Sequence, residues 1–117
     1  MQIGELAERC GVSVRMLRYY EAEGLLNPAR TPSGYRDFDA GDVETVRRIV
    51  MLNRAGLTLS TIRTLLPCAR EGGDGFEPCA AFKASLSAKL QDLDRQIEAL
   101  QGSRQLVATY LAEAEKD

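Results

Sequence analysis

Ser13-Val14-Arg15-Met16-Leu17-Arg18-Tyr19-Tyr20-Glu21-Ala22-Glu23-Gly24 contains a helix together with its start and its stop. Ser13 suits the N-cap, where its hydroxyl can accept from an otherwise unpaired first-turn N–H. Gly24 suits the stop, where the backbone must turn. Across Val14–Glu23, Val14, Leu17 and Tyr20 or Glu21 point one way, and Arg15, Arg18 and Tyr19 largely another. Upstream, Ile3, Leu6, Ala7 and Cys10 fall at i, i+3, i+4 and i+7, which predicts a short helix over Ile3–Cys10 ended by Gly11. Two short helices around a tight turn that contains glycine form a helix-turn-helix signature.

Downstream, Leu25–Arg30 and Tyr35–Phe38 are short extended runs flanking Thr31-Pro32-Ser33-Gly34, a strong turn sequence. They predict a small β-hairpin, a wing. Asp39 caps a third helix, with Asp42 three residues on as in a capping box, and Val43, Val46, Ile49, Val50 and Asn53 continue it to Gly56. Thr58 caps a fourth helix through Leu66. Residues 67–77 break the pattern, with Gly72, Gly73 and Gly75 marking a flexible hinge. Pro78 then opens a long helix. Its apolar stripe comprises Cys79, Phe82, Leu86, Leu90, Leu93, Ile97, Leu100, Val107 and Leu111, with Arg104 as a polar interruption. Such a helix, roughly 57 Å long, cannot bury its stripe on a small head, so its own copy is the economical partner, in an antiparallel or parallel coiled coil. The expected organisation is a head over 1–66, a hinge over 67–77 and a dimerisation helix over 78–117.

The chain has 117 residues and a formal net charge of −2. That charge divides unevenly: residues 1–66 hold nine Arg against eight acidic residues, and residues 67–117 hold six Lys+Arg against nine. Every basic residue of the first part is Arg, the side chain suited to planar bidentate contacts with phosphate and guanine. The sequence contains no His, which excludes a Ser-His-Asp triad, a Cys-His dyad and a His-ligated zinc site. No paired catalytic carboxylates and no phosphate loop are recognisable, so an enzyme is not expected. No membrane span or signal peptide is legible, and three cysteines without an export signal suggest a reducing cytoplasm.

Leu17-Arg18-Tyr19-Tyr20-Glu21, Gly24-Leu25-Leu26, Gly34-Tyr35-Arg36 and Ile3-Gly4-Glu5-Leu6-Ala7 together resemble the MerR family of bacterial transcription regulators. The resemblance implies a mainly α fold, with a winged helix-turn-helix head and one long C-terminal helix forming an antiparallel coiled-coil dimer. It implies a homodimer on double-stranded promoter DNA. That dimer would distort the spacer between promoter elements on induction and realign them for RNA polymerase. Ser13, Arg15, Arg18 and Tyr19 lie on or beside the exposed face of the second helix. Arg18 and Tyr19 match family positions that hold phosphates, and Tyr35 and Arg36 match wing contacts to the backbone. Arg15 stands at the helix N-terminus, where recognition helices reach base edges. Tyr20 is expected in the core.

Cys68 and Cys79 bracket the glycine loop and are the candidate sensor thiols. Cys79 opens the long helix, where exposed N–H groups favour a thiolate. Its place is similar to that of the first metal-ligand cysteine in divalent and mercury sensors of the family. Those sensors carry a second cysteine pair after the long helix, and this sequence has no Cys beyond Cys79. Thiol redox or electrophile sensing is the first reading. In the alternative, the same cysteines bind a soft metal ion, completed by the other subunit or by Asp74 or Glu77. In the plainest case both thiols are small apolar fillers, and the chain is a repressive or architectural DNA-binding dimer without an effector, or a coiled-coil interaction module. Cys10, on the apolar face of the first helix, is expected to be a buried core thiol. Lys89 and Arg104 read as solvated residues or as partners across a dimer.

Overall fold

The computed structural model describes residues 1–69, 75–77 and 79–116. The chain divides into two compact units, Met1–Phe82 and Lys83–Asp117. In the first, α1 (Ile3–Cys10) and α2 (Val14–Ala22) form the helix-turn-helix. Gly11 ends α1 at φ 67°, in the left-handed region, and its N–H donates to Ala7 O. A Cβ there would meet nothing within 4 Å, so the backbone angle rather than space favours glycine. Ser13 caps α2 as expected, its Oγ accepting from the Met16 N–H at 3.1 Å. Leu17 and Tyr20 point inward and are buried.

The wing is smaller than the sequence predicts. β1 (Ala29–Arg30) pairs antiparallel with β2 (Arg36–Asp37), Ala29 opposite Asp37 and Arg30 opposite Arg36. Leu25, Leu26 and Phe38, expected within the strands, are buried in the core. Burying these large side chains turns the flanks out of the ladder, which leaves two residues per strand. Gly34, at φ 87°, closes the turn with its N–H on Thr31 O at 2.8 Å. Beyond β2, the Phe38 N–H donates to Met1 O at 2.8 Å and the Met1 ammonium donates to Phe38 O at 2.6 Å.

α3 (Ala40–Arg54) starts on the predicted capping box: the Asp42 N–H donates to Asp39 Oδ1 at 3.0 Å, and the Asp39 N–H to Asp42 Oδ2 at 2.9 Å. α4 (Leu59–Leu65) starts on Thr58, whose Oγ1 accepts from the Thr61 N–H at 3.2 Å. It ends one residue earlier than expected, and Leu66–Cys68 tighten into a 3-10 turn. Leu6, Leu17, Phe38, Val46, Ile49, Ile62 and Leu65 form the fully buried centre, to which every helix of the head contributes. Phe76 and Phe82 pack against this core, and Phe76 pairs with Ala69 in an isolated bridge. The hinge residues Gly72, Gly73 and Asp74 lie outside the described residues, as does Pro78.

The long helix α5 (Ala80–Glu115) starts two residues later than the sequence predicts. Its part in the second unit carries the expected stripe exposed, from Leu93 at 37% to Leu90 at 60% and Leu100 at 70%. Leu106 and Tyr110 are also exposed and widen the apolar surface beyond the predicted stripe. Lys89 pairs with Asp92 at 3.5 Å on the same helix. No helix among the described residues is long and apolar enough to cross a membrane.

The head rests on few large side chains. Ile62→Ala, which empties a fully buried site on α4, is expected to lower unfolding free energy by about 2–5 kcal/mol. Urea denaturation checks this as a lower midpoint at unchanged slope.

Candidate nucleic-acid interface and cysteine pair

Burial of Leu17 and Tyr20 decides what α2 presents to solvent. Ser13, Arg15, Arg18 and Tyr19 are exposed, with Tyr19 at 49%. Neither Arg15 nor Arg18 has an ion-pair partner among the described residues, so both guanidiniums face solvent with their donors unspent. Ser13 differs, since its oxygen is engaged as the helix cap and the hydroxyl hydrogen remains to donate outward. Tyr20 is 3% exposed, and burial pushes its phenol above the ordinary value of 10.0. It is a core residue, as expected.

The wing brings its residues to the same surface. Arg18, Tyr35 and Arg36, with Gln2 and Ile3, line one open hollow of about 240 Å³. Tyr35 is 68% exposed at the wing's edge. Arg36 is half-buried, because its Nε donates to Glu21 Oε2 at 2.6 Å. The other Glu21 oxygen accepts from Arg30 NH2 at 3.1 Å. Glu21, which the sequence pattern does not single out, thus ties both wing strands to α2. The sequence marks it only as the one acid within Leu17–Glu21, on the border between the buried and exposed faces.

At the other end of the head, the structure brings Cys68 and Cys79 together. They are joined as a disulfide, with Cα atoms 6.7 Å apart across eleven positions of sequence. Cys68 closes the 3-10 turn, and its carbonyl accepts from the Glu77 N–H at 2.6 Å. Cys79 occupies the N-cap position of α5, its Sγ accepting from the Phe82 N–H at 3.4 Å. The Phe76 and Phe82 rings stack alongside, centroids 4.7 Å apart. Among the described residues no group of three or more His, Cys, Asp or Glu side chains is arranged to hold a metal ion. Once reduced, the pair would offer two thiolate donors, which suit a soft cation.

Exposed arginines on the second helix of a helix-turn-helix, beside a two-stranded wing, define a winged helix-turn-helix DNA-binding protein. Two family models match the chain: MerR HTH family regulatory protein over residues 1–68, and MerR, DNA binding over residues 43–109. The chain belongs to the MerR family of DNA-binding transcription regulators. It is 37% identical over 102 residues to heavy metal-dependent transcription regulator 2 of Rhizobium meliloti strain 1021, a match spanning 86% of this chain and 67% of that one. Among solved structures it is similar to the transcription regulator PbrR691 of Ralstonia metallidurans CH34 in complex with lead(II). That match has a TM-score of 0.76 and 28% identity, and covers 92% of this chain and 81% of that one. It is also similar to HiNmlR, a MerR family regulator lacking the sensor domain, bound to promoter DNA. There the TM-score is 0.60 and the identity 27%, over 98% of this chain and 90% of that one.

The third thiol corrects one expectation. Cys10 packs against the core but is half-buried, because it lies at the rim of an open groove lined by Arg47, Val50, Met51 and Arg54. Burial pushes its thiol above the ordinary 9.0, against the opposing pull of the Arg47 and Arg9 charges. A raised thiol value means less thiolate at any given pH. In a Cys68→Ser, Cys79→Ser background, Cys10 is expected to react with iodoacetamide at pH 7.5 more slowly than an unstructured cysteine peptide. Its rate should keep climbing above pH 9, where the peptide's has begun to level, as a stopped-time mass measurement would record.

Proposed function

We propose that this regulator binds promoter DNA as a homodimer through α2 and the wing, and that Cys68 and Cys79 are its effector switch. One observation carries the DNA contact: Arg18 on α2 and Tyr35 and Arg36 on the wing line a single hollow. Guanidiniums placed this way meet phosphate oxygens along one groove edge, and these contacts fix register. Arg15, at the N-terminal end of α2, reaches a base edge. The exposed apolar stripe of α5 supports the dimer, because a second copy supplies the missing half of its burial. Promoter-bound HiNmlR supports DNA as the ligand, and the family resemblance points to RNA polymerase as the partner at the promoter.

The cysteine pair supports a thiol switch. Two thiols give up two protons and two electrons to form the disulfide, and a diazene oxidant such as diamide accepts them as the hydrazine. Closing this short loop biases the segment that joins the head to α5 by up to about 3 kcal/mol. A second reading keeps the same residues: both thiolates bind a soft cation. The heavy metal-dependent relative and the lead-bound neighbour favour it.

The probe for these proposals is the tightest duplex recovered by in vitro selection from a random library. Arg18→Ala and Arg36→Ala are each expected to weaken its binding about tenfold or more, and to reduce the slope of log affinity against log salt by about one. Arg15→Ala is expected to relax preference at one base pair, worth about 1–3 kcal/mol of discrimination. Unchanged affinity in both phosphate variants would refute the interface. For the switch, Cys79→Ser is expected to abolish the transcriptional response in vitro to diamide, an aldehyde or a soft metal, at unchanged DNA affinity. A normal response in the Cys68→Ser, Cys79→Ser double variant would eliminate both thiol readings.

A further inference from the structure

We propose that Glu21 is a positioning residue for DNA binding, whose single carboxylate holds both strands of the wing against α2 and so fixes the direction of Arg36. The inference rests on the reading that Arg36 contacts a phosphate. Arg30 and Arg36 are directly opposed in the two-residue ladder, and both donate to Glu21, one to each oxygen. A ladder this short has little stability of its own. Its pose relative to α2 therefore depends on what ties it there, and the carboxylate is a charge-assisted tie to both strands at once. Glu21 is 19% exposed and Arg36 33%, so the pair is partly withdrawn from water and less screened than a surface ion pair.

The donor used matters. Arg36 spends its Nε–H on Glu21, which leaves the N–H donors of its terminal nitrogens for a phosphate. A guanidinium held by its Nε edge presents its outer edge in one direction. Without Glu21 the side chain samples several rotamers, and DNA binding must order it. Arg30 is the second anchor, and it stops the hairpin from pivoting about Arg36 alone.

A carboxylate near DNA also repels phosphate, and that opposing effect makes the proposal testable. If Glu21 acted only as a charge, Glu21→Gln would tighten binding to every duplex. As a positioning residue, Glu21→Gln is expected to weaken the selected duplex about tenfold, while affinity for an unrelated duplex of equal length stays level or rises. Glu21→Asp keeps the charge but shortens the reach by one methylene, and is expected to weaken the selected duplex as well. In the Arg36→Ala background the Glu21→Gln loss should vanish, because the two act as one unit. Fluorescence anisotropy with the 117-residue chain measures all four, and circular dichroism checks that each variant folds. Tighter or unchanged binding of Glu21→Gln to the selected duplex overturns the proposal. So does a loss that persists undiminished in the Arg36→Ala background. If Arg36→Ala itself binds normally, the phosphate contact fails first and the positioning role falls with it.

Discussion

A nine-residue helix cannot hide two faces, and the architecture of the head follows from which face α2 hides. Leu17 and Tyr20 are drawn into the core with Leu6, Phe38, Ile49 and Ile62. Burying them forces Arg15, Arg18 and Tyr19 outward. Helix geometry leaves no intermediate arrangement, because a shift of one residue would put Arg18 where Leu17 sits. The face proposed to meet DNA is thus the complement of the core, and anything that loosens the core blurs the direction of its arginines. The wing obeys the same constraint. Its strands stay short because Leu25, Leu26 and Phe38 are claimed by the core, and the residue next to Phe38 in the ladder direction, Asp37, already faces solvent.

The cysteine joint repeats this logic at the far end of the head. Cys68 terminates the 3-10 turn after α4, and Cys79 caps α5. Neither sulfur is remote from the core. Leu65 and Leu66 precede Cys68, Phe82 follows Cys79, and Phe76 stacks on Phe82 while packing with the same cluster. A change of bonding at the sulfurs acts on residues already fixed by hydrophobic contact. Close packing transmits such changes as discrete rearrangements more readily than as graded ones.

Much of this was legible in the sequence, and the misses share a cause. Helix starts were readable because Ser13, Asp39 and Thr58 act through local hydrogen bonds to the residue three positions on. The brackets of Cys68 and Cys79 around the loop marked them as candidate sensor thiols but left open whether they bond to each other, which depends on how the chain folds between them. The strand lengths were not, because local pattern cannot show that Leu25 and Phe38 are wanted elsewhere. Cys10 reads as core by periodicity and is half-buried, since the groove beside it depends on Arg47 and Met51 of a different helix. Phe76, in a glycine-rich stretch, gave no periodic signal, yet it joins the core through a tertiary contact. Glu21 was missed for the same reason: its partners are nine and fifteen positions away, beyond any helical or strand repeat.

The charge balance sharpens what this surface can do. An overall charge of −2 gives no long-range attraction to a polyanion, and the head is nearly neutral. In the proposed interface, affinity therefore comes from close contact, where a few guanidiniums replace counterions on particular phosphates. Close contact is sensitive to angle, and a long side chain pays heavily in rotamer entropy when nothing holds it. In a strongly basic domain, a carboxylate among the arginines would be a pure liability. In a head whose charges nearly cancel, giving one acid to hold two arginines trades a small repulsion for a fixed geometry. The proposed Glu21 clamp fits that composition: the less the net charge attracts DNA, the more the arginines have to be aimed.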